Sequence, residues 1–194
     1  MASNVDIANL SLRKIGETRI NALDDNTPQA TVVNSVYQQV RDREIAKRLW
    51  KFAATRAALA ALSTPPLFGY QYQYVLPADC QRVLEVVDAW SYLQPGDPPF
   101  RIEGRAILTD MPAPLKIRYA SIAKPESEFS ALFVDVLACA LAIEIAPSLR
   151  PSDSKGKQLR VDYRESLRDA SRAHALENAP FMQRSGSWES ARWQ

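Results

Sequence analysis

Apolar positions along this chain follow two periods, and the change from one to the other divides it. From Val5 to Ile15 they recur at helical spacing: Ala8, Leu12 and Ile15 share a face, with Ile7 and Leu10 beside it. Asn4 is the expected N-cap and Gly16 the expected stop. After the loop GETRINALDDNT, Thr27 is a suitable N-cap, and Pro28 fits the first helical position, where its missing N–H costs nothing. The stripe Val33, Tyr37 and Val40, widened by Val32 and Val36, then predicts a second helix toward Leu49. No glycine or proline interrupts Gln29–Thr64, so a bent continuation to Leu62 is open.

The period shortens in the middle of the chain. YQYQYVLP alternates aromatic and polar residues, CQRVLEVV and PLKIRYASI suit strands, and RIEGRAILTD suits a hairpin. Nine of the 13 prolines and three of the six glycines lie between Pro65 and Pro125, which punctuates strands rather than helices. Helical spacing returns with a third helix from about Pro125 to Ala146. It is apolar nearly all round, interrupted only by Asp135 and Glu144, and so is expected at the centre of the core. A fourth helix, about Ser154 to Glu177, carries one stripe of Leu159, Tyr163, Leu167 and Ala170 and is otherwise charged. The expected fold is mainly α within the α+β class. It is a four-helix bundle over residues 1–178, with a small antiparallel β section inserted at about 66–123 and an extended C-terminal tail at 179–194.

Composition adds limits. The 194 residues, 46% hydrophobic and 24% charged, suit one soluble domain, and a net charge of +2 is not the strong basic bias of a nucleic-acid gripping protein. Cys80 and Cys139 lack metal-ligand spacing and read as free buried thiols. No signal core is present, and no apolar run reaches the ~18 residues that span a membrane, so no membrane partner is expected.

Candidate chemistry is sparse. The single histidine, His174, sits on the polar fourth helix beside Arg172. No nucleophile elbow or phosphate-cradling glycine loop exists. Asp24–Asp25 fits a solvated loop, and Glu126 with Glu128 fits a helix's first turn. Glu144 is either a buried functional acid or the partner of an arginine on a neighbouring helix. The expectation is no catalytic residue, no metal and no cofactor. One segment bears on nucleic acid: RDREIAKRLWKFAATR holds Arg41, Arg43, Lys47, Arg48, Lys51 and Arg56, with Trp50 and Phe52 inside it. These cations could neutralise phosphates while the aromatics stack on bases. Alternatively Trp50 anchors the helix end in the core, and the basic face stays solvated or meets an acidic neighbouring subunit.

The tail APFMQRSGSWESARWQ is unusual for a terminus. Pro180 stops the fourth helix. Phe181, Met182, Trp188 and Trp193 are spaced as apolar anchors, with Arg184 and Arg192 as accompanying charges. The tail either folds back on its own body or binds another protein.

Several of these segments together resemble the head–tail adaptor proteins of short-tailed bacteriophages, a family also called tail tubular protein A or the head-to-tail connector. Ile7, Ala8, Asn9, Leu10, Leu12, Ile15 and Gly16 match its opening helix, and Ile20, Leu23, Asp24 and Asp25 match its loop. Tyr37, Arg41, Asp42, Trp50, Phe52 and Ala53 match its second motif, although KRLWKFA stands where relatives commonly carry His-Pro before the tryptophan. YVLPADCQRVLEV, GRAILTD, PLKIRYAS, the helix FSALFVDVLACALAIEIAPSL and the closing SWESARW extend the match over nearly the whole chain. The resemblance implies a structural virion protein of the neck, assembled in the host cytoplasm. It implies a ring of twelve copies between the portal protein and the tail tube or nozzle, around the channel through which genomic DNA passes without sequence-specific binding. It also implies a C-terminal segment, with Phe181, Met182, Arg184, Trp188, Arg192 and Trp193, that embraces the portal. The other reading is a small DNA-binding or packaging accessory protein using the basic segment at 41–56.

Overall fold

A computed structural model describes residues 2–92 and 98–177, with side chains up to Ala173. The first helix, α1, spans Asn4–Ile15, one residue earlier than the pattern predicts, because Ser3 rather than Asn4 is the cap. The Ser3 hydroxyl accepts from the Asp6 amide at 3.1 Å, and the Asp6 carboxylate accepts from the Ser3 amide at 2.9 Å, so two orphan donors are satisfied reciprocally. Gly16 ends the helix in the left-handed region at φ 81°, which a residue without Cβ adopts freely.

The second helix, α2, spans Pro28–Lys47, with the Thr27 hydroxyl accepting from the Ala30 amide at 3.2 Å. It does not continue to Leu62. Arg48 turns to extended backbone (φ −141°, ψ 162°), and the Trp50 indole N–H donates to the Glu44 carbonyl at 2.9 Å. In a continuing helix the amide of residue 48 would take that carbonyl. Trp50 therefore caps the helix and enters the core in one step. After a 3-10 turn at Lys51–Ala53, the helix-prone residues ATRAAL become strand β1, Ala54–Leu59, since strand pairing overrides propensity.

Five more strands follow: β2 Tyr72–Val75, β3 Cys80–Val86, β4 Phe100–Glu103, β5 Ala106–Thr109 and β6 Leu115–Ser121. They form two antiparallel three-stranded sheets, ordered β1-β6-β3 and β2-β5-β4. RIEGRAILTD is the expected hairpin, turning at Gly104 (φ 58°) and Arg105 between the paired residues Glu103 and Ala106. Tyr74, Leu76, Val86, Ile107, Met111, Leu115, Ile117 and Tyr119 build a core of their own on the sheets.

The expected four-helix bundle with a small β insertion is thus incorrect. The molecule is a mixed α+β fold, about 49% helix and 19% strand, with one core made by the helices and a second by the sheets. The β part also begins earlier than expected, at Ala54.

The third helix, α3, spans Ala131–Leu149 after a 3-10 turn at Glu126–Glu128, and packs against α1, α2 and α4. Its mean hydropathy of 2.0 over 18 residues would suffice, by length and composition, to cross a membrane, contrary to the sequence expectation. Most of that window (61%) is buried inside the fold, as a core helix requires. The fourth helix, α4, spans Asp153–Glu177 and buries Leu159 and Ala170, with Tyr163 and Leu167 packed beside them.

Candidate functional site

The basic segment at 41–56 does not form one face. Arg41 lies 2.9 Å from Asp42 and 3.5 Å from Glu126, whose carboxylate also accepts from the Tyr37 hydroxyl at 3.4 Å. Burial pushes the Tyr37 hydroxyl well above the ordinary tyrosine range. Arg43 reaches Glu144 on α3 at 2.8 Å, so Glu144 is the partner of a neighbouring helix's arginine, and it is well exposed rather than buried. Arg48 hydrogen-bonds the Ser171 hydroxyl on α4. Lys51 sits on the 3-10 turn and Arg56 on β1.

Lys47 belongs to the most buried polar network. Glu44 is 1% exposed, and its two carboxylate oxygens take Lys47 at 2.7 Å and the Tyr163 hydroxyl of α4 at 2.8 Å. Burial opposes the Lys47 ammonium, but its hydrogen bonds to Glu44 and Tyr163 outweigh that and hold its pKa above the ordinary lysine value. Four of the six cations therefore tie α2 to its neighbours. A buried carboxylate is tolerated only when so satisfied, and this one is spent on packing α2 against α4.

The resemblance motifs are also structural. The Asn9 amide donates to the Ile20 carbonyl at 2.9 Å and accepts from the Ile20 amide at 2.8 Å, which clamps the following loop onto α1. Asp25 accepts from the amides of Asn21 and Ala22, at 2.7 and 3.0 Å, and so closes that loop. Trp50, Phe52, Phe129 and Phe133 form a ring cluster, with Trp50 and Phe133 centroids 4.7 Å apart. Cys80 and Cys139 are free and buried, and burial pushes the Cys80 thiol upward, away from nucleophilic use. Among the described residues, no group of His, Cys, Asp or Glu is placed to hold a metal. The His174 side chain and the whole set Phe181, Met182, Arg184, Trp188, Arg192 and Trp193 lie outside the described residues.

One feature escaped the sequence reading. In the loop from β1 to β2, Leu67 is 99% exposed and Phe68 86% exposed. Pro65 and Pro66 stiffen the approach, and Gly69 turns the chain at φ 88° immediately afterwards. The far side of the loop is anchored: the Gln71 amide donates to Asp110 and the Tyr70 hydroxyl to the Pro98 carbonyl, both at 2.9 Å. Phe68, Tyr70, Tyr92, Pro98 and Pro99 line one groove with Arg101. Trp90, on the same 3-10 turn as Tyr92, is 83% exposed. The signal was Leu-Phe bracketed by Pro-Pro and Gly, which reads as punctuation when only breakers are counted. No protein-family model matches the chain, and no curated protein matches it.

Proposed function

We propose that this chain is a structural assembly protein, a head-to-tail adaptor that forms a ring between a portal protein and a tail tube or nozzle around exiting DNA. The observation carrying the reading is the Leu67–Phe68 tip: two adjacent large apolar side chains presented to solvent on an anchored loop. Exposed apolar anchors on a stiff loop suit burial in another protein's surface. The order and spacing of the resemblance motifs give that partner its class. The buried polar groups of the chain support the same reading, since Asn9, Glu44 and Asp25 are each used to hold elements together. In this reading the ring needs two different faces per subunit, and the tail at 179–194 supplies the portal contact.

The test is co-sedimentation of the purified chain with the portal ring of the same genome, imaged by negative-stain electron microscopy. Full-length protein should decorate one end of the portal. A form ending at residue 178 should stay folded and fail to bind. Unchanged binding by that form would assign the contact elsewhere, and no binding by either would reject the adaptor.

A further inference from the structure

The outward face of the β1-β6-β3 sheet carries a charge arrangement that folding alone does not favour. The register sets Arg56 on β1 directly opposite Arg118 on β6, and Ala58 directly opposite Lys116. Along β6 the burial alternates strictly from Leu115 to Tyr119, so Lys116 and Arg118 point away from the core that Leu115, Ile117 and Tyr119 enter. Like charges directly opposite across a strand pair destabilise a sheet. One carboxylate shares the face: Glu85 on β3, 3.4 Å from Arg118, with both side chains about half exposed. Among the described residues, Arg56 and Lys116 form no ion pair. Three cations and one anion therefore border a shallow trough floored by Ala57, Ala58 and Ile117 and closed at one end by Val87.

We propose that this sheet face is a nucleic-acid contact that takes the phosphate backbone of a duplex without reading its sequence. Spacing supports it. Lys116 and Arg118 are two residues apart on one strand, roughly 6.6 Å, and Arg56 stands about 5 Å across from Arg118. Duplex DNA places one phosphate per about 3.4 Å of axis on each strand, so the β6 pair steps at twice that interval. The small Ala58 between the cations leaves room for a backbone to approach. An acidic protein is the weaker candidate for this face, because it carries no aromatic anchor, and protein interfaces draw their affinity from such anchors. The apolar anchors of this molecule are on the β1–β2 loop and at Trp90. A lone phosphate is weaker still, because the face is open and offers no buried donor. The contact differs from the 41–56 helix face, since of those six residues only Arg56 takes part. It does not rest on the adaptor reading.

The experiment is fluorescence anisotropy of a labelled 30-base-pair duplex with the full chain, from 25 to 200 mM NaCl. The sheet variant is Arg56→Gln, Lys116→Gln, Arg118→Gln. The control removes the same charge elsewhere, with Arg19→Gln, Arg160→Gln, Arg168→Gln, all exposed positions. Inorganic phosphate and polyglutamate serve as competitors. The sheet variant should lose roughly 2.7 from the slope of log K against log salt, three phosphates' worth, and the control less than about one. If the sheet variant does not fold, Arg56→Gln alone should lower the slope by roughly 0.9. Equal slopes in sheet and control variants would overturn the proposal. So would absence of duplex binding at 25 mM, or displacement by polyglutamate at lower concentration than by unlabelled duplex. A chain that never joins a portal could still pass this test, so the two proposals fail separately.

Discussion

The Trp50 indole N–H donates at 2.9 Å to the main-chain carbonyl of Glu44, whose side chain is the most buried carboxylate of the helical core. One residue thus sees two uses. Its carbonyl ends α2, and its carboxylate holds Lys47 and Tyr163. The turn from helix to sheet is fixed at this point.

Trp50→Phe should keep most of the ring packing against Phe133 and lose the N–H donor. A buried carbonyl left unpaired costs about 1–3 kcal/mol, so the midpoint of urea unfolding should fall with its slope unchanged. Trp50→Ala, which also empties the ring site, should cost about 3–5 kcal/mol. A Trp50→Phe protein as stable as wild type would mean that the carbonyl has another partner.

Asn9→Ala should cost about 1–3 kcal/mol, because both Ile20 main-chain groups lose their partner together. Hydrogen exchange reads this locally: the Ile20 amide should lose protection while the Val33 amide in α2 keeps it. Asn9→Asp should fare no better near neutral pH, since its carboxylate would face the Ile20 carbonyl.

Stability should fall on the alkaline side, and α2 should contribute to that fall. Lys47 has its folded pKa raised, so its contribution is fully present below the unfolded value near 10.5 and is lost as pH rises through the folded value. Tyr37 and Tyr163 also have raised pKa values, chiefly from burial, so the unfolded chain ionises first and pulls in the same direction. Thermal melts from pH 9 to 11.5 should show Tm falling with pH. The fall should be shallower in Lys47→Met and in Tyr163→Phe. Parallel curves for all three proteins would remove the network from the account.

Leu67→Ser with Phe68→Ser should leave stability within about 0.5 kcal/mol, since both side chains are solvated in the free protein. The same variant should fail to assemble. Lost folding instead would make the tip part of the core.

How far the sequence revealed this molecule depended on whether a residue's partner was nearby in the chain. Caps and stripes were legible: Gly16 at the end of α1, Thr27 and Pro28 at the start of α2, and the alternation of YQYQYV in β2 all rest on local chemistry. The end of α2 was not. The breaker-free run through residue 64 is helix-prone, and only the tertiary position of Trp50 against Phe133 stops it. The same miss hid β1, and with β1 the second sheet. A strand taken for helix left the β section looking like an insert between helices. The Arg56–Arg118 juxtaposition was invisible for the same reason, because it exists only once β1 pairs with β6. The basic run at 41–56 was visible but misleading. Glu126, Glu144 and Ser171, which engage Arg41, Arg43 and Arg48, lie 85 or more residues away.

The central claim is that this chain is built to be covered by other proteins at its Leu67–Phe68 tip and its C-terminal segment. Electron microscopy of the chain mixed with the portal ring of the same genome tests it most directly. The account predicts a closed ring of copies seated on one end of the portal, with density over the Leu67–Phe68 loop of every copy, and loss of that ring when both residues are serine. A portal that stays bare, or a ring whose Leu67–Phe68 loops all face open solvent, would contradict it.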